Sequence, residues 1–319
     1  MEWAAIIGGL ILLVVGAELI VRYGARLAAR LGIPPLIIGL TIVSVGTSAP
    51  ELAIGIDAAL AGEGSLAIGN IAGTNLVNLL LILGLSAVLL PLPLTMQTLR
   101  IDLPTMGAVA ILLLAVCVDG VLSLFDGVLL IVVAVAYTVA IVRAARRENA
   151  EVVAEFAHEF TEPITTRRRS MLLPLLLLGV GIVIVIVGAE WLVTGAVDLA
   201  EAAGVSSVVI GLTIVAIGTS APELVTAIVS TIRGDRDIAI GNLIGSSTFN
   251  LTFILGAAVL AAPIAVEPAL ILVDLPMMIA ATLVIGVLMI SGRALTRLEG
   301  GVMVAAYLAY LASVLIART

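Results

Sequence analysis

Two glutamates in this chain, Glu51 and Glu223, lie in nearly the same peptide. "GLTIVSVGTSAPEL" runs over Gly39–Leu52 and "GLTIVAIGTSAPEL" over Gly211–Leu224, twelve of fourteen positions being identical at an offset of 172 residues. Around each glutamate stand hydroxyls, Thr47 and Ser48 in one copy and Thr219 and Ser220 in the other. A proline directly precedes each glutamate (Pro50, Pro222). Proline removes an N–H and clashes with the carbonyl four residues earlier, so each copy is expected to break its helix and free carbonyls over Ser44–Thr47 and Ala216–Thr219. A second polar set follows each motif. It comprises Asn70, Thr74 and Asn78 in the first copy and Asn242, Ser246 and Asn250 in the second. Thr74 and Asn78, like Ser246 and Asn250, are four residues apart and share a helix face.

The donors in this inventory are all oxygen. Oxygen-only sets suit hard cations such as Ca²⁺ or Na⁺ and disfavour soft transition metals. Two carboxylates balance one Ca²⁺ or two Na⁺, and three Na⁺ would leave one positive charge in excess. The chain has no lysine, and its 15 basic residues are arginines lying outside the central apolar runs. Neither glutamate therefore has an obvious basic partner, and a metal cation is the natural counter-charge.

Such a pair of carboxylates belongs in lipid here. The 319 residues are 62% hydrophobic and 12% charged, with a mean hydropathy of +1.29. A soluble domain must cover its outside with more polar surface than that. About 20 apolar residues cross a bilayer, and ten runs qualify: 3–21, 36–60, 66–90, 103–119, 125–143, 171–194, 206–231, 238–260, 269–290 and 299–317. The first has no basic leader before it and reads as a retained helix, not a signal peptide. With the N-terminus outside, fourteen arginines fall in inner loops and Arg318 alone falls outside. The positive-inside rule then puts both termini outside a plasma membrane and the loop 146–170 in the cytoplasm. Cys117, the single cysteine, lies in an apolar run as a packing thiol and excludes an intrachain disulfide.

The offset of 172 extends well beyond the motif. "GAE" at Gly16–Glu18 recurs at Gly188–Glu190, "DLP" at Asp102–Pro104 recurs at Asp274–Pro276, and Ala67–Gly84 matches Ala239–Gly256 at ten of eighteen positions. The fold class expected is an all-α membrane protein of ten transmembrane helices in two five-helix repeats, residues 1–145 (motif 39–84) and 171–319 (motif 211–256), joined by the connector 146–170. Five is odd, so the second repeat enters the membrane inverted, as in many secondary transporters with a midplane site. A duplicated channel would share the pattern. In the connector, Val152, Val153, Phe156 and Phe160 fall on one face of a possible interfacial helix, and a solvated linker is the plainer alternative.

Doubled "GTSAPE", each followed by "GN" and a "G-[ST]-x-x-x-N" helix, resembles the α-repeats of the sodium/calcium exchangers of the Ca²⁺/cation antiporter superfamily, prokaryotic members included. The resemblance implies Ca²⁺ and Na⁺ as transported substrates in a lipid bilayer, with no cofactor, no nucleic acid and no obligate protein partner. It implies a central Ca²⁺ site at Glu51 and Glu223 with the carbonyls of Thr47 and Thr219. It further implies one Na⁺ site from Ser44, Thr47, Glu51 and Thr74, and a mirror site from Ala216, Thr219, Glu223 and Ser246. Asn78 and Asn250 would complete the middle, with Ser48 and Ser220 as helpers. Some members carry Asp where this chain has Asn250, and that Asp accompanies K⁺-dependent exchange; Asn250 makes K⁺ co-transport less expected. A Ca²⁺/H⁺ antiporter is the alternative, and a cation channel a further one. The first helix of each half is expected to move against the motif-bearing helices.

Other polar residues have plainer readings. Glu18 and Glu190 are expected to snorkel or to bond a neighbouring helix end, Asp102 and Asp274 to cap helices beside Pro, and Asp57 has no counterpart in the second half. "HEFTE" at His158–Glu162 lacks the second histidine of a zinc protease, and His158 is the only histidine, so an enzyme is not expected.

Overall fold

A computed structural model describes residues 2–147, 171–204 and 216–318. Most of the connector, with His158 and the proposed interfacial helix, lies outside these described residues, as do the first residues of the second motif, 211–215.

The described residues are almost wholly helical. In chain order they form α1 (Glu2–Leu31), a bent pair α2 (Pro35–Thr47) and α3 (Ala49–Ala61), α4 (Gly64–Leu89), α5 (Thr98–Cys117), α6 (Leu124–Arg147), α7 (Leu172–Ala202), α8 (Ala216–Thr219), α9 (Ala221–Arg233), α10 (Arg236–Ala261), α11 (Leu270–Ile290) and α12 (Arg297–Arg318). Seven helices are long and apolar enough to span a bilayer, and the α2–α3 pair, bent by 46°, raises the number to eight among the described residues. Two antiparallel ladders tie the loops. β1 (Leu92–Pro93) pairs with β4 (Ala294–Leu295), and β2 (Val121–Leu122) pairs with β3 (Ile264–Ala265).

The distribution of side chains is inside-out relative to a soluble protein. Large apolar residues such as Val14, Val132, Val135, Val183, Val284, Val287 and Leu308 are exposed, while Ser44, Thr47, Glu51, Asn78, Glu223, Asn242 and Asn250 are fully buried. Lipid, not water, is the solvent that makes this arrangement stable. α10 and α4 form the centre, with 83% and 72% of their spans buried, against 28–39% for the other spans.

α1 and α7 form a separate antiparallel pair at the edge of this centre. A Cβ on Gly9 would stand 2.7 Å from the Gly188 carbonyl, one on Gly16 2.8 Å from that of Gly181, and one on Gly195 2.8 Å from that of Glu2. Glycine at these seven-residue intervals lets the two backbones touch, the packing mode that dispersion favours inside a bilayer. The duplicated "GAE" thus marks a helix contact at its glycine. Its glutamate in the first copy, Glu18, pairs with Arg233 at the end of α9 at 2.5 Å, which agrees with the expectation of bonding at a neighbouring helix end.

Charged side chains and loops divide between two ends of the molecule. Arg233 bonds Glu18, Arg236 donates to the Pro91 carbonyl and Arg297 to the Leu89 carbonyl, beside the β1–β4 ladder. The β2–β3 ladder, with Asp119 and Glu267 beside it, lies where α5 ends and α6 begins.

The capping expectation fails at both aspartates. Asp102 and Asp274 have α-helical backbone, make no capping bond, and end wide π-helical turns over Thr98–Asp102 and Leu270–Asp274. Asp102 is fully buried and accepts a 3.2 Å bond from the Tyr137 hydroxyl.

Candidate functional site

Both motif helices break where the prolines were expected to break them. Ser48 (φ −83°, ψ 15°) and Ser220 (φ −88°, ψ 8°) leave helical geometry, and Pro50 and Pro222 sit in the first turn of the helices that follow. The two breaks therefore match in backbone as well as in sequence. Each carries its glutamate into the first turn of α3 or α9, where the helix dipole favours an acid. The Ser44 carbonyl is not freed by the break, since it accepts the Ser48 N–H at 3.1 Å.

α2 lies against α10 with almost no space between backbones. A Cβ on Gly241 would stand 2.6 Å from the Leu36 carbonyl, and one on Gly245 would overlap Ser44 Oγ and stand 2.8 Å from the Leu40 backbone. Ser44 Oγ donates to the Gly39 carbonyl of its own helix at 2.6 Å, and the approach lets it reach the Asn242 carbonyl of α10 at 3.0 Å. The Ser44 hydroxyl thus pins the two helices together.

This contact brings the two polar sets into one place. Ser48 Oγ donates to Glu223 Oε1 at 3.0 Å, Ser246 Oγ lies 3.4 Å from the same oxygen, and Thr47 Oγ1 donates to Asn242 Oδ1 at 3.2 Å. So the first motif bonds the glutamate of the second, which no spacing along the chain reveals. Asn78 and Asn250 lie in π-helical turns at Val77–Ile82 and Asn250–Ile254, a widening that recurs at functional sites. Their side-chain amides are buried and carry no partner.

The electrostatic account is lopsided. Glu51 and Glu223 are fully buried, and three of their four carboxylate oxygens (Glu51 Oε1 and Oε2, Glu223 Oε2) have no donor. Uncompensated charge at such depth costs several kcal/mol or more. The donor set that surrounds it consists of carboxylate, hydroxyl, amide and carbonyl oxygens. It is suited to a hard cation with irregular coordination. No cluster of three or more His, Cys, Asp or Glu occurs among the described residues.

Of the residues singled out from the sequence, Ser44, Thr47, Ser48, Glu51, Thr74, Asn78, Ser220, Glu223, Ser246 and Asn250 are all buried on α2, α3, α4, α9 and α10 or at their junctions. Thr219 is half-buried at the end of α8, whose backbone begins at Ala216. Asn75 and Ser247 were missed. Both are buried with unpartnered polar atoms beside Thr74 and Ser246, and the 172-residue offset relating them was the available signal. Asn242 belongs closer to the site than its place in the second polar set suggested, because Thr47 bonds it.

Ser48→Ala removes the shorter of the two hydroxyl contacts to Glu223 and leaves Ser246. The expected result is divalent-cation binding weakened roughly tenfold, since a bond to a charged group is worth about 1.5–3 kcal/mol. Calorimetric Ca²⁺ titration of the purified protein checks it, and unchanged affinity would remove Ser48 from the site.

Comparison with known proteins shows the family. The family model described as sodium/calcium exchanger protein matches residues 1–143 and 173–316. The chain is 38% identical over 265 residues to the inner membrane protein YrbG of Escherichia coli, covering 83% of this chain and 81% of that one. It is 34% identical to the putative antiporter CaxA of Alkalimonas amylolytica and 29% identical to the sodium/calcium exchanger MaX1 of Methanosarcina acetivorans, with 95% of each chain covered in both comparisons. Among solved structures, the sodium-calcium exchanger NCX_Mj soaked with Na⁺ and Sr²⁺ superposes with a TM-score of 0.83 at 28% identity, over 98% of this chain and 97% of that one.

Proposed function

The chain belongs to the sodium/calcium exchanger protein family, and from that membership we infer a secondary antiporter. It exchanges Na⁺ for Ca²⁺ across a membrane in which it is a multi-pass helical protein. The observation that carries the site is the fully buried Glu51–Glu223 pair with three carboxylate oxygens lacking donors.

In this reading Glu51 and Glu223 hold Ca²⁺ with the carbonyls of Thr47 and Thr219. Thr74, Ser44 and Asn78 on one side, and Ser246, Ala216 and Asn250 on the other, complete it and the flanking Na⁺ positions, with Ser48 and Ser220 assisting. Ca²⁺ and Na⁺ compete because one set of negative charges serves both. Residues 1–145 and 171–319 act as inverted five-helix repeats of a ten-helix protein. Support comes from direction. α3 leads from Glu51 toward Glu63, next to which Gly64 lies against the β3 backbone, whereas α9 leads from Glu223 to Arg233 near β1. The arginine end then faces the cytoplasm with the connector 146–170, and both termini face out.

The two halves are not in the same state. Ser48 bonds Glu223, yet its counterpart Ser220 has an unpartnered hydroxyl and Glu51 has no donor. Alternating access requires such a difference between equivalent halves. The α1–α7 pair is the element suited to move. It is joined to itself by glycine contacts, and Ile182 and Val193 of α7 lie against Gly46 and Gly218 of the two motifs. Glu18–Arg233 ties this pair to α9 at the arginine end. The offset places Ala61 where a mirror-image arginine would stand, so the tie favours closure at one end only. Arg233→Gln is expected to raise the fraction open at that end by up to roughly fivefold, since a partly exposed ion pair is worth about 1 kcal/mol at most. Maleimide labelling of a cysteine introduced beside the tie reads this directly, and labelling equal to that of the intact pair would refute the bias.

The test of exchange is Ca²⁺ uptake into Na⁺-loaded liposomes diluted into Na⁺-free buffer. Uptake that requires internal Na⁺ is expected. Uptake driven equally by a pH gradient would overturn the Na⁺ coupling, and uptake indifferent to both gradients would make the protein a channel.

A further inference from the structure

Between Glu223 and the arginine end, α9 buries three hydroxyls: Thr226, Ser230 and Thr231, each with no exposed surface. Ser230 donates to the Thr226 carbonyl at 2.7 Å, the usual way for a hydroxyl to be satisfied in a helix. Thr226 and Thr231 have unpartnered Oγ1 atoms. α4 packs against α9 along Val77–Leu89, and there Ser86 is also fully buried without a partner. Ser86 is eight residues beyond Asn78, and Thr231 eight residues beyond Glu223. At about 1.5 Å per residue Thr231 stands roughly 12 Å along α9 from Glu223, and Ser86 the same distance along α4 from Asn78. Thr226 lies on the Glu223 face of the helix, one turn on.

Packing alone does not call for these hydroxyls. The 172-residue offset pairs Thr226 with Ile54, Ser230 with Ala58, Thr231 with Ala59 and Ser86 with Ala258. Ala58, Ala59 and Ala258 are 4%, 3% and 0% exposed, so the same depth is filled by methyl groups in the other direction. Each unpartnered buried hydroxyl is a standing penalty. A polar occupant that is present only intermittently accounts for three of them along this stretch.

We propose that Thr226, Thr231 and Ser86 line the route by which Na⁺ and Ca²⁺ pass between the glutamate pair and the arginine end, their oxygens standing in for waters of a partly dehydrated cation. This rests on the exchanger reading above. Neutral hydroxyls fit the task because a passage must bind weakly enough to release. The Glu18–Arg233 tie sits two residues past Thr231 and closes the mouth of this route. The opposite direction, with Ile54, Ala58 and Ala59 on α3, lacks the hydroxyl track.

The test compares Thr226→Val, Thr231→Val and Ser86→Ala with Thr282→Val, whose hydroxyl is already bonded to the Met278 carbonyl on α11. Two quantities are measured: equilibrium Ca²⁺ affinity of the purified protein, and Na⁺-driven Ca²⁺ uptake in liposomes. Passage and not binding is expected to suffer. Affinity should stay within about twofold of wild type while uptake slows roughly tenfold in Thr226→Val, recovers in Thr226→Ser and is unaltered in Thr282→Val. Wild-type uptake in all three track variants overturns the proposal, as does a loss of affinity in step with the rate, which would make Thr226 part of the central site. Thr231→Val and Ser86→Ala decide the matter if Thr226→Val does not fold. A wild-type protein that moves no Ca²⁺ would instead end the exchanger reading itself.

Discussion

Glu51→Gln is expected to abolish Na⁺-driven Ca²⁺ uptake and to lower Ca²⁺ affinity by roughly 150-fold to 4,000-fold, because removing one member of a buried charge pair costs about 3–5 kcal/mol. The change keeps the shape of the side chain and removes its charge. Both Glu51 oxygens lack a protein donor, so the substitution breaks no bond within the protein. Stability without ions should therefore hold or rise, since a buried charge is replaced by a neutral amide. Ca²⁺ should protect the wild type against heat, by about 2.7 kcal/mol at a hundred times its dissociation constant, and should not protect the variant. A variant that loses ion-free stability as well would mean that Glu51 serves the fold and not the ion.

Gly245→Ala is expected to have the second large effect, acting on the scaffold. Alanine in a helix is intrinsically better than glycine by about 1 kcal/mol. Here that preference loses. The added Cβ would overlap Ser44 Oγ and stand 2.8 Å from the Leu40 backbone, and backbone cannot rotate away as a flexible side chain can. Overpacking of this kind costs about 1–3 kcal/mol. The displacement would also break the Ser44 bond to the Asn242 carbonyl that joins α2 to α10. The melting midpoint should fall and Ca²⁺ protection should weaken with it. Gly286→Ala is the control, because nothing stands within 4 Å of a Cβ there; equal midpoints for the two variants would show that the close approach is not needed.

Much of this was legible in the residues. The doubled motif announced a broken helix with a glutamate after the break, and both breaks fall at the serine before the proline. Apolar runs marked the spans but not the helix ends. The run 3–21 belongs to a helix that continues to Leu31, because Arg22, Arg26 and Arg30 end the lipid-facing stretch without ending the helix. Asp102 was misread for the converse reason. Thr98 and Arg100 interrupt the apolar pattern, so the helix seemed to begin at residue 103, whereas it starts at Thr98 and leaves Asp102 inside it. The cross-motif bonds, Ser48 to Glu223 and Thr47 to Asn242, join residues 175 and 195 positions apart. They depend on how closely α2 approaches α10, which Gly241 and Gly245 permit but do not by themselves declare. The hydroxyls of α9 were hidden because serine and threonine are ordinary in membrane helices; only their burial without partners sets Thr226 and Thr231 apart.

The claim at the centre is that one ion-binding site, built on Glu51 and Glu223, serves Ca²⁺ and Na⁺ in turn. Equilibrium Ca²⁺ binding to the purified protein across a series of Na⁺ concentrations tests it most directly, for the wild type, Glu51→Gln and Glu223→Gln. The account predicts one Ca²⁺ per chain, displaced by Na⁺ with a steepness that requires more than one Na⁺, and lost in either variant. Ca²⁺ that stays bound at high Na⁺, or that binds both variants as tightly as the wild type, would contradict it.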